Sequence, residues 1–214
     1  DMSYMFQKCY FPNASFKNWN TSNVTNMEHM FEGCNNLSSL NIQGFDTGKV
    51  TNMSYMFNEC GNLQRVDIGT GFNTANVTTM DYMFRETGKM SMTTLNLGSQ
   101  FDTIKVTNMK SMFQGTGYTA MTSLDLGTKF NTSKVENMES MFKEPGYTEM
   151  TTLDLGENFD TSSVMNMISM FEGTGHEKMT TLNLGEKFNT SQVINMSNMF
   201  KETGYKAMTS LDLG

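Results

Sequence analysis

The chain of 214 residues is poor in the residues that most chemistry needs. It holds only 2 Pro, 2 His, 1 Trp and 3 Cys. The two histidines, His29 and His176, lie far apart and in different registers, so they do not read as a general-base pair or a metal pair. No nucleophile elbow, H-E-x-x-H string or phosphate loop is present. An enzyme is therefore not expected: no catalytic residue, no cofactor-binding residue, no cofactor and no metal ligand can be nominated. Charged residues make up 17% of the chain and the net charge is -7, which argues against nucleic acid as a partner. No stretch approaches about 18 consecutive apolar residues, so no direct membrane insertion is expected. Three cysteines make neither a disulfide framework nor a zinc spacing. The chain opens on DMSYMFQKCY and closes on LDLG. Both ends read as cut from a longer repeat array, so the missing leader does not argue against export.

What is abundant is Met (23), Gly (18) and Phe (16), and a repeat explains it. The string M-x-x-M-F starts at Met2, Met27, Met53, Met80, Met109, Met138, Met167 and Met196. Its spacings are 25, 26 and 27, then 29 four times. The unit L-[DN]-L-G-x-x-F-[DN]-T-x-x-V-x-N-M-x-x-M-F covers the whole chain. Residues 1–214 are thus one repeat domain of about seven repeats, with shorter repeats over 1–84 and 29-residue repeats over 85–214.

Each unit has two halves. Leu124 and Leu126 flank Asp125, the period of a short strand. The pair recurs as Leu40/Ile42, Val66/Ile68, Leu95/Leu97, Leu153/Leu155, Leu182/Leu184 and Leu211/Leu213, with Ala14/Phe16 as a worn first copy. Val135, Met138, Met141 and Phe142 fall at i, i+3, i+6 and i+7, which predicts one face of a two-turn helix. The expected fold is an α/β repeat solenoid: a leucine-rich-repeat-like right-handed coil with a short parallel strand and a short helical segment per turn. Seven strand rungs at about 4.8 Å each give a stack about 30 to 35 Å long.

Stacking would set equivalent residues side by side. Trp19, Phe45, Phe72, Phe101, Phe130, Phe159 and Phe188 form one such ladder, and Val24 to Val193 another. Thr21, Thr47, Thr74, Thr103, Thr132, Thr161 and Thr190 each follow an Asn or Asp suited to closing a turn and capping the helix. Asn26, Asn52, Asn108, Asn137, Asn166 and Asn195 form a column expected to bond backbone at a corner. The Asp-x-Thr strings lack calcium-loop spacing. Cys9, Cys34 and Cys60 share one position, as a row of small thiols; later units have Thr or Pro there.

The segment TSNVTNMEHMFEGCNNLSSLNIQGFDTGKVTNMSYMFNEC closely resembles the BspA-like, or DUF285, leucine-rich-like repeat family, with its F-D-T-S-x-V-x-N-M-x-x-M-F-x-x-C-x-x-L-x-x-L-x-L unit. The likeness runs end to end. Beyond Phe84, Thr or Pro replaces the Cys, the link gains two residues, and Met92, Met121, Met150, Met179 and Met208 replace Leu. The resemblance implies a bacterial extracellular or cell-surface protein that adheres to a protein or glycan of a host or neighbouring cell. It carries no catalytic residues. A passive stalk presenting another domain is the alternative.

Two faces could bind such a partner. One is the polar ribbon of exposed strand positions: Asn41, Asp67, Asn96, Asp125, Asp154, Asn183 and Asp212. Asp125 and Asp154 are adjacent there and would repel. The other is the lengthened link, which carries Lys89, Tyr118, Tyr147, His176 and Tyr205, each after a Gly. A row of aromatics could hold glycan rings or protein, or it could cover the neighbouring turn. Tyr4, His29, Tyr55 and Tyr82 form a further row that stops at Ser111.

Overall fold

The computed structural model describes residues 1–69 and 71–213. The chain winds into a parallel β-solenoid. Among the described residues it forms seven strands of three residues each: β1 (Asn13–Ser15), β2 (Ser39–Asn41), β3 (Arg65–Asp67), β4 (Thr94–Asn96), β5 (Ser123–Asp125), β6 (Thr152–Asp154) and β7 (Thr181–Asn183). Seven strands in sequence make about six turns of coil. Pairing is parallel and in register, Leu40 beside Val66 and Leu95 beside Leu124, so each strand's central side chain falls on its predecessor's. The ladder is not continuous: strands pair as β1-β2-β3, β4-β5 and β6-β7.

The expected helical segment is absent: no helix occurs among the described residues. The M-x-x-M-F segment is instead a chain of tight turns. Alternate amides point along the stack: Met138, Ser140, Phe142 and Glu144 N–H donate to the Asn166, Ile168, Met170 and Glu172 carbonyls of the next turn at 2.8–3.0 Å. The amides between them close local turns, Met141 to Met138 O and Lys143 to Ser140 O, both 3.1 Å. A helix would spend these amides internally and leave the next turn's carbonyls unmatched. It would also be about 10 Å wide, twice the step between stacked strands. Val135, Met138, Met141 and Phe142 are all fully buried, so the apolar spacing marks an inward face on a backbone of turns and not of helix.

A backbone that bends this often needs residues in the left-handed region. The middle residue of M-x-x-M supplies one: Tyr4, His29, Tyr55, Tyr82, Ser111, Ser140, Ser169 and Asn198 all have φ between 53° and 60°. Such a conformation costs a non-glycine residue roughly 1–2 kcal/mol. In the first four turns ring stacking offsets it. Tyr4, His29, Tyr55 and Tyr82 lie face to face with centroids 4.4–4.6 Å apart.

The interior is a set of ladders. The M-x-x-M-F phenylalanines stack from Phe6 to Phe200 at 5.3–6.0 Å, with buried Met side chains filling between them. Of the second aromatic ladder, Phe72, Phe101 and Phe130 stack at 6.4–6.5 Å. Trp19 does not head it: Phe16 meets Phe45 at 5.7 Å, and Trp19 turns outward against Phe16 and Phe6.

Polar ladders tie the turns together. The Thr47 and Thr132 hydroxyls, fully buried, each donate at 2.8 Å to the carbonyl of Asn73 and Asp160 in the next turn. The Asn or Asp before each threonine accepts from the amide two residues on, as Asp46 does from Gly48. Thus the Asx residue closes the turn while the threonine, expected to cap a helix, links turns instead. The Asn26-to-Asn195 column pairs in parallel throughout, with Thr79 in its place once, and its side chains also close turns (Ser54 N–H to Asn52 Oδ1, 2.9 Å).

The cysteine column explains its own replacement. All three thiols are free. Cys34 Sγ donates to Phe6 O and Cys60 Sγ to Phe31 O, and in later turns Thr87 and Thr116 hydroxyls donate to Phe57 O and Phe84 O. Thr keeps the donor. Burial pushes the Cys34 thiol up to about 11 and raises that of Cys60 further, so neither is a ready nucleophile. The lengthened link of the later units is a single turn closed by an i to i−4 bond, Met121 N–H to Gly117 O at 2.9 Å.

Candidate functional site

The strand-side ribbon lies on the outer face of the strands. Asn96, Asp125, Asp154 and Asn183 are exposed there. One side-chain oxygen of each is committed to its own turn: Asn96, Asp125, Asp154 and Asn183 Oδ1 accept the amides of Gly98, Gly127, Gly156 and Gly185 at 2.7–3.0 Å. Asn183 Nδ2 also donates to Asp154 Oδ1 at 3.1 Å. Asn41 does the same for Gln43, while Asp67 faces Arg65 at 3.9 Å.

The ribbon opens where pairing stops. Between paired strands the turn glycines touch: a Cβ on Gly127 would sit 2.3 Å from Gly98 O, and one on Gly185 2.9 Å from Gly156 O. Across the unpaired steps a Cβ on Gly98 or Gly156 would meet nothing within 4 Å. The β5/β6 opening is where Asp125 and Asp154 would stack, and like charges directly opposite are destabilising in a sheet. A groove of about 720 Å³ runs over it, with Asp125, Asp154, Glu157 and Asn158 among its walls. A second groove of about 850 Å³ continues it toward Asn183 and Asp212.

The link row is also real, and its rings cover one another. Tyr118, Tyr147, His176 and Tyr205 stack at 4.5–5.1 Å, and Lys89 Nζ sits 5.8 Å from the Tyr118 centroid at the head of the row. Tyr118 and Tyr147 are half-buried and His176 is buried, and only the last member, Tyr205, is strongly exposed. Burial first, then the neighbouring Tyr147 phenol and the Glu144 and Glu177 carboxylates, raise the Tyr118 hydroxyl above its ordinary value. The ribbon and the row are separate faces.

The turn side carries a third polar feature that sequence spacing did not single out: carboxylates held between adjacent turns. Glu32 receives Gln7 Nε2 and His29 Nδ1 at 2.6 Å and Asn58 Nδ2 at 2.8 Å. Glu172 lies between Lys143 at 3.1 Å and Lys201 at 3.2 Å. Burial alone would raise both carboxyls. The hydrogen bonds, from Gln7, Asn58 and His29 to Glu32 and from Ser169, Lys143 and Lys201 to Glu172, more than reverse it, and both sit below their ordinary value. A carboxyl with a depressed folded value contributes stability that is present above its unfolded value and lost as pH falls through the folded one. Urea midpoints measured from pH 7 downward should therefore fall through the acid range. A Glu32→Gln, Glu172→Gln double variant should show a shallower decline; an unchanged slope would mean that these contacts contribute nothing.

The fold and its polar columns define a class: a parallel β-solenoid repeat protein. Among the described residues no group of three or more His, Cys, Asp or Glu side chains could hold a metal ion. The chain matches the family model described as "Mycoplasma protein of unknown function, DUF285" over residues 1–123 and 118–208. It belongs to that family. No curated protein and no solved structure matches it. Among the described residues no helix is long and apolar enough to cross a membrane.

Proposed function

We propose that this chain is a cell-surface binding module that adheres to a protein or glycan through the strand-side ribbon. The observation that supports this reading is the β5/β6 opening, where two exposed carboxylates flank a groove along the strand face. Asp125 Oδ2 and Asp154 Oδ2 have no partner among the described residues, and they can accept from sugar hydroxyls or from peptide and side-chain N–H groups. The extracellular placement rests on the likeness to BspA-like surface proteins.

A second reading, the passive stalk, is favoured by one specific observation: the link-row rings are face to face, so the ring faces a sugar would stack on are already occupied. A glycan array and a host-protein screen separate the two. With an Asp125→Asn, Asp154→Asn variant beside Tyr118→Ser, Tyr147→Ser, Tyr205→Ser, the ribbon reading expects a binder whose affinity falls at least about tenfold in the first and holds in the second. Loss only in the tyrosine variant would move the site to the link row. No binder in either screen would leave the stalk.

A further inference from the structure

The strand side of the coil closes by the same two bonds at every paired step. Phe16, Ile42, Leu97 and Leu155 N–H donate forward to the Asn41, Asp67, Asp125 and Asn183 carbonyls at 3.0–3.1 Å. Ser38, Gln64, Thr122 and Thr180 N–H donate back to the Pro12, Ser38, Thr93 and Thr151 carbonyls at 2.7–2.9 Å. At the β5/β6 step both are missing: the equivalent donors, Leu126 and Thr151 N–H, have no acceptor among the described residues. The turn side of that same step is fully bonded. Asn137 pairs with Asn166, Met138 to Glu144 donate to the next turn, Phe142 stacks on Phe171 at 5.6 Å, and the Thr132 hydroxyl reaches Asp160 O at 2.8 Å. The step is therefore a joint, fixed along one side of the coil and open along the other.

The last residue of each strand explains why this step is the open one. Paired steps set Ser15 beside Asn41, Asn41 beside Asp67, Asn96 beside Asp125 and Asp154 beside Asn183, so none of them stacks two carboxylates. Pairing β5 with β6 would stack Asp125 on Asp154, and like charges directly opposite are destabilising. At β6/β7 an amide turns the same contact into a bond, Asn183 Nδ2 donating to Asp154 Oδ1 at 3.1 Å. The charged residues that line the groove over the joint are Asp125, Asp154 and Glu157; on the far side of Asp154 the next groove adds Glu186, Lys187 and Asp212. No basic side chain lines the joint itself to offset the repulsion. A backbone hydrogen bond exchanged with water adds little net stability, so one directly opposed charge pair can decide whether two such bonds form. The β3/β4 step, with Asp67 against Asn96, is open at the point where the link before the strand first gains two residues, and Arg65 stands there in place of the usual Ser or Thr.

We propose that the β5/β6 step is a charge-controlled joint: two ionised carboxylates hold it open, and it closes when either loses its charge. Closure forms the two missing bonds, Leu126 N–H to Asp154 O and Thr151 N–H to Thr122 O, and joins β4-β5 to β6-β7 in one ladder. It also removes the groove, since the strand faces then meet as they do at β4/β5. Protonation of one carboxyl has the effect of an amide, because the acid can donate to its neighbour. The joint is a property of the chain alone and does not depend on the ribbon binding anything.

The test is amide hydrogen exchange, read residue by residue by nuclear magnetic resonance, on the 214-residue chain without any partner. Two variants move the charge pair in opposite directions. Asp154→Asn removes it from β5/β6, and protection of the Leu126 and Thr151 amides should rise at least about fivefold as they gain acceptors. Asn183→Asp creates the pair at β6/β7, and protection of the Leu155 and Thr180 amides should fall at least about fivefold. The Leu97 amide, bonded across β4/β5, is the internal reference in both and should not change. Circular dichroism identifies a variant that has lost its fold, and each variant stands as a test if the other fails. Unchanged protection of Leu126 and Thr151 in the first variant, or of Leu155 and Thr180 in the second, would overturn the proposal.

Discussion

Replacing Phe113 with alanine should lower the unfolding free energy by about 3–5 kcal/mol, the range for emptying a buried aromatic site. The expectation is at the large end for this chain because of where the ring sits. Phe113 is fully buried and stacked on both faces, on Phe84 at 5.8 Å and Phe142 at 5.5 Å, and Phe130 meets it at 6.3 Å. Its neighbours are fixed by backbone ladders on both sides, so they can close only part of the cavity. In a solenoid each turn contacts only its neighbours, and a weak turn in the middle separates two groups of sound ones. Chemical denaturation followed by tyrosine fluorescence should show a lower midpoint and a broader or split transition. Trp19→Ala is the internal comparison: its ring is 40% exposed at one end of the stack and should cost about 1 kcal/mol or less. Equal losses in the two variants would contradict the ladder as the main stabiliser.

The second large effect is a contrast between two glycines that look alike in sequence. Gly98 and Gly127 both follow a strand's L-[DN]-L, and both have left-handed φ, 71° and 75°. Alanine at either position carries the left-handed cost of roughly 1–2 kcal/mol. At Gly98 that should be all, since nothing lies within 4 Å. At Gly127 the added carbon would lie 2.3 Å from Gly98 O, and backbone must move to admit it, which adds about 1–3 kcal/mol of overpacking strain. Thermal or urea denaturation of the two variants should rank Gly127→Ala well below Gly98→Ala. Identical midpoints would mean that the strand ladder is as open below Gly127 as it is below Gly98.

Those glycines also show what the sequence could tell and where it stopped. Residues that repeat at one column, such as Leu95 and Leu124 or Phe101 and Phe130, announce their partners, so the strands and the Phe101–Phe130 stack were legible, whereas the threonines, expected to cap a helix, bond the next turn instead. The turn segment was not legible. Met138, Met141 and Phe142 point inward at a spacing that a helix and a chain of tight turns satisfy equally. The column of Lys8, Gly33, Glu59, Glu86, Gly115, Glu144, Gly173 and Glu202 carried the missing signal, because glycine recurring in one column marks a left-handed backbone that no helix interior contains. The openings beside β4 and β6 depend on how neighbouring turns settle against each other. The Asp125–Asp154 adjacency pointed at one of them. The link row repeats at one column, but its sequence does not show that rings 4.6 Å apart cover each other's faces or that His176 is buried among them.

The constant length of the later turns has a consequence for how such a chain can change size. From Thr87 onward most ladder contacts join residue i to a partner 28 to 30 positions away: Lys178 to Glu149, Lys206 to Glu177, Thr132 to Asp160, Thr119 to Lys89. Excising residues 117–145 as a block would bring Thr116 directly onto Gly146, the junction that Pro145 makes now, and hand each broken contact an equivalent partner one turn along. The stack shortens by one step and its cross-section is conserved. Within this half of the chain, length is a free parameter that gene duplication or deletion in multiples of 29 codons can adjust with every column kept in register.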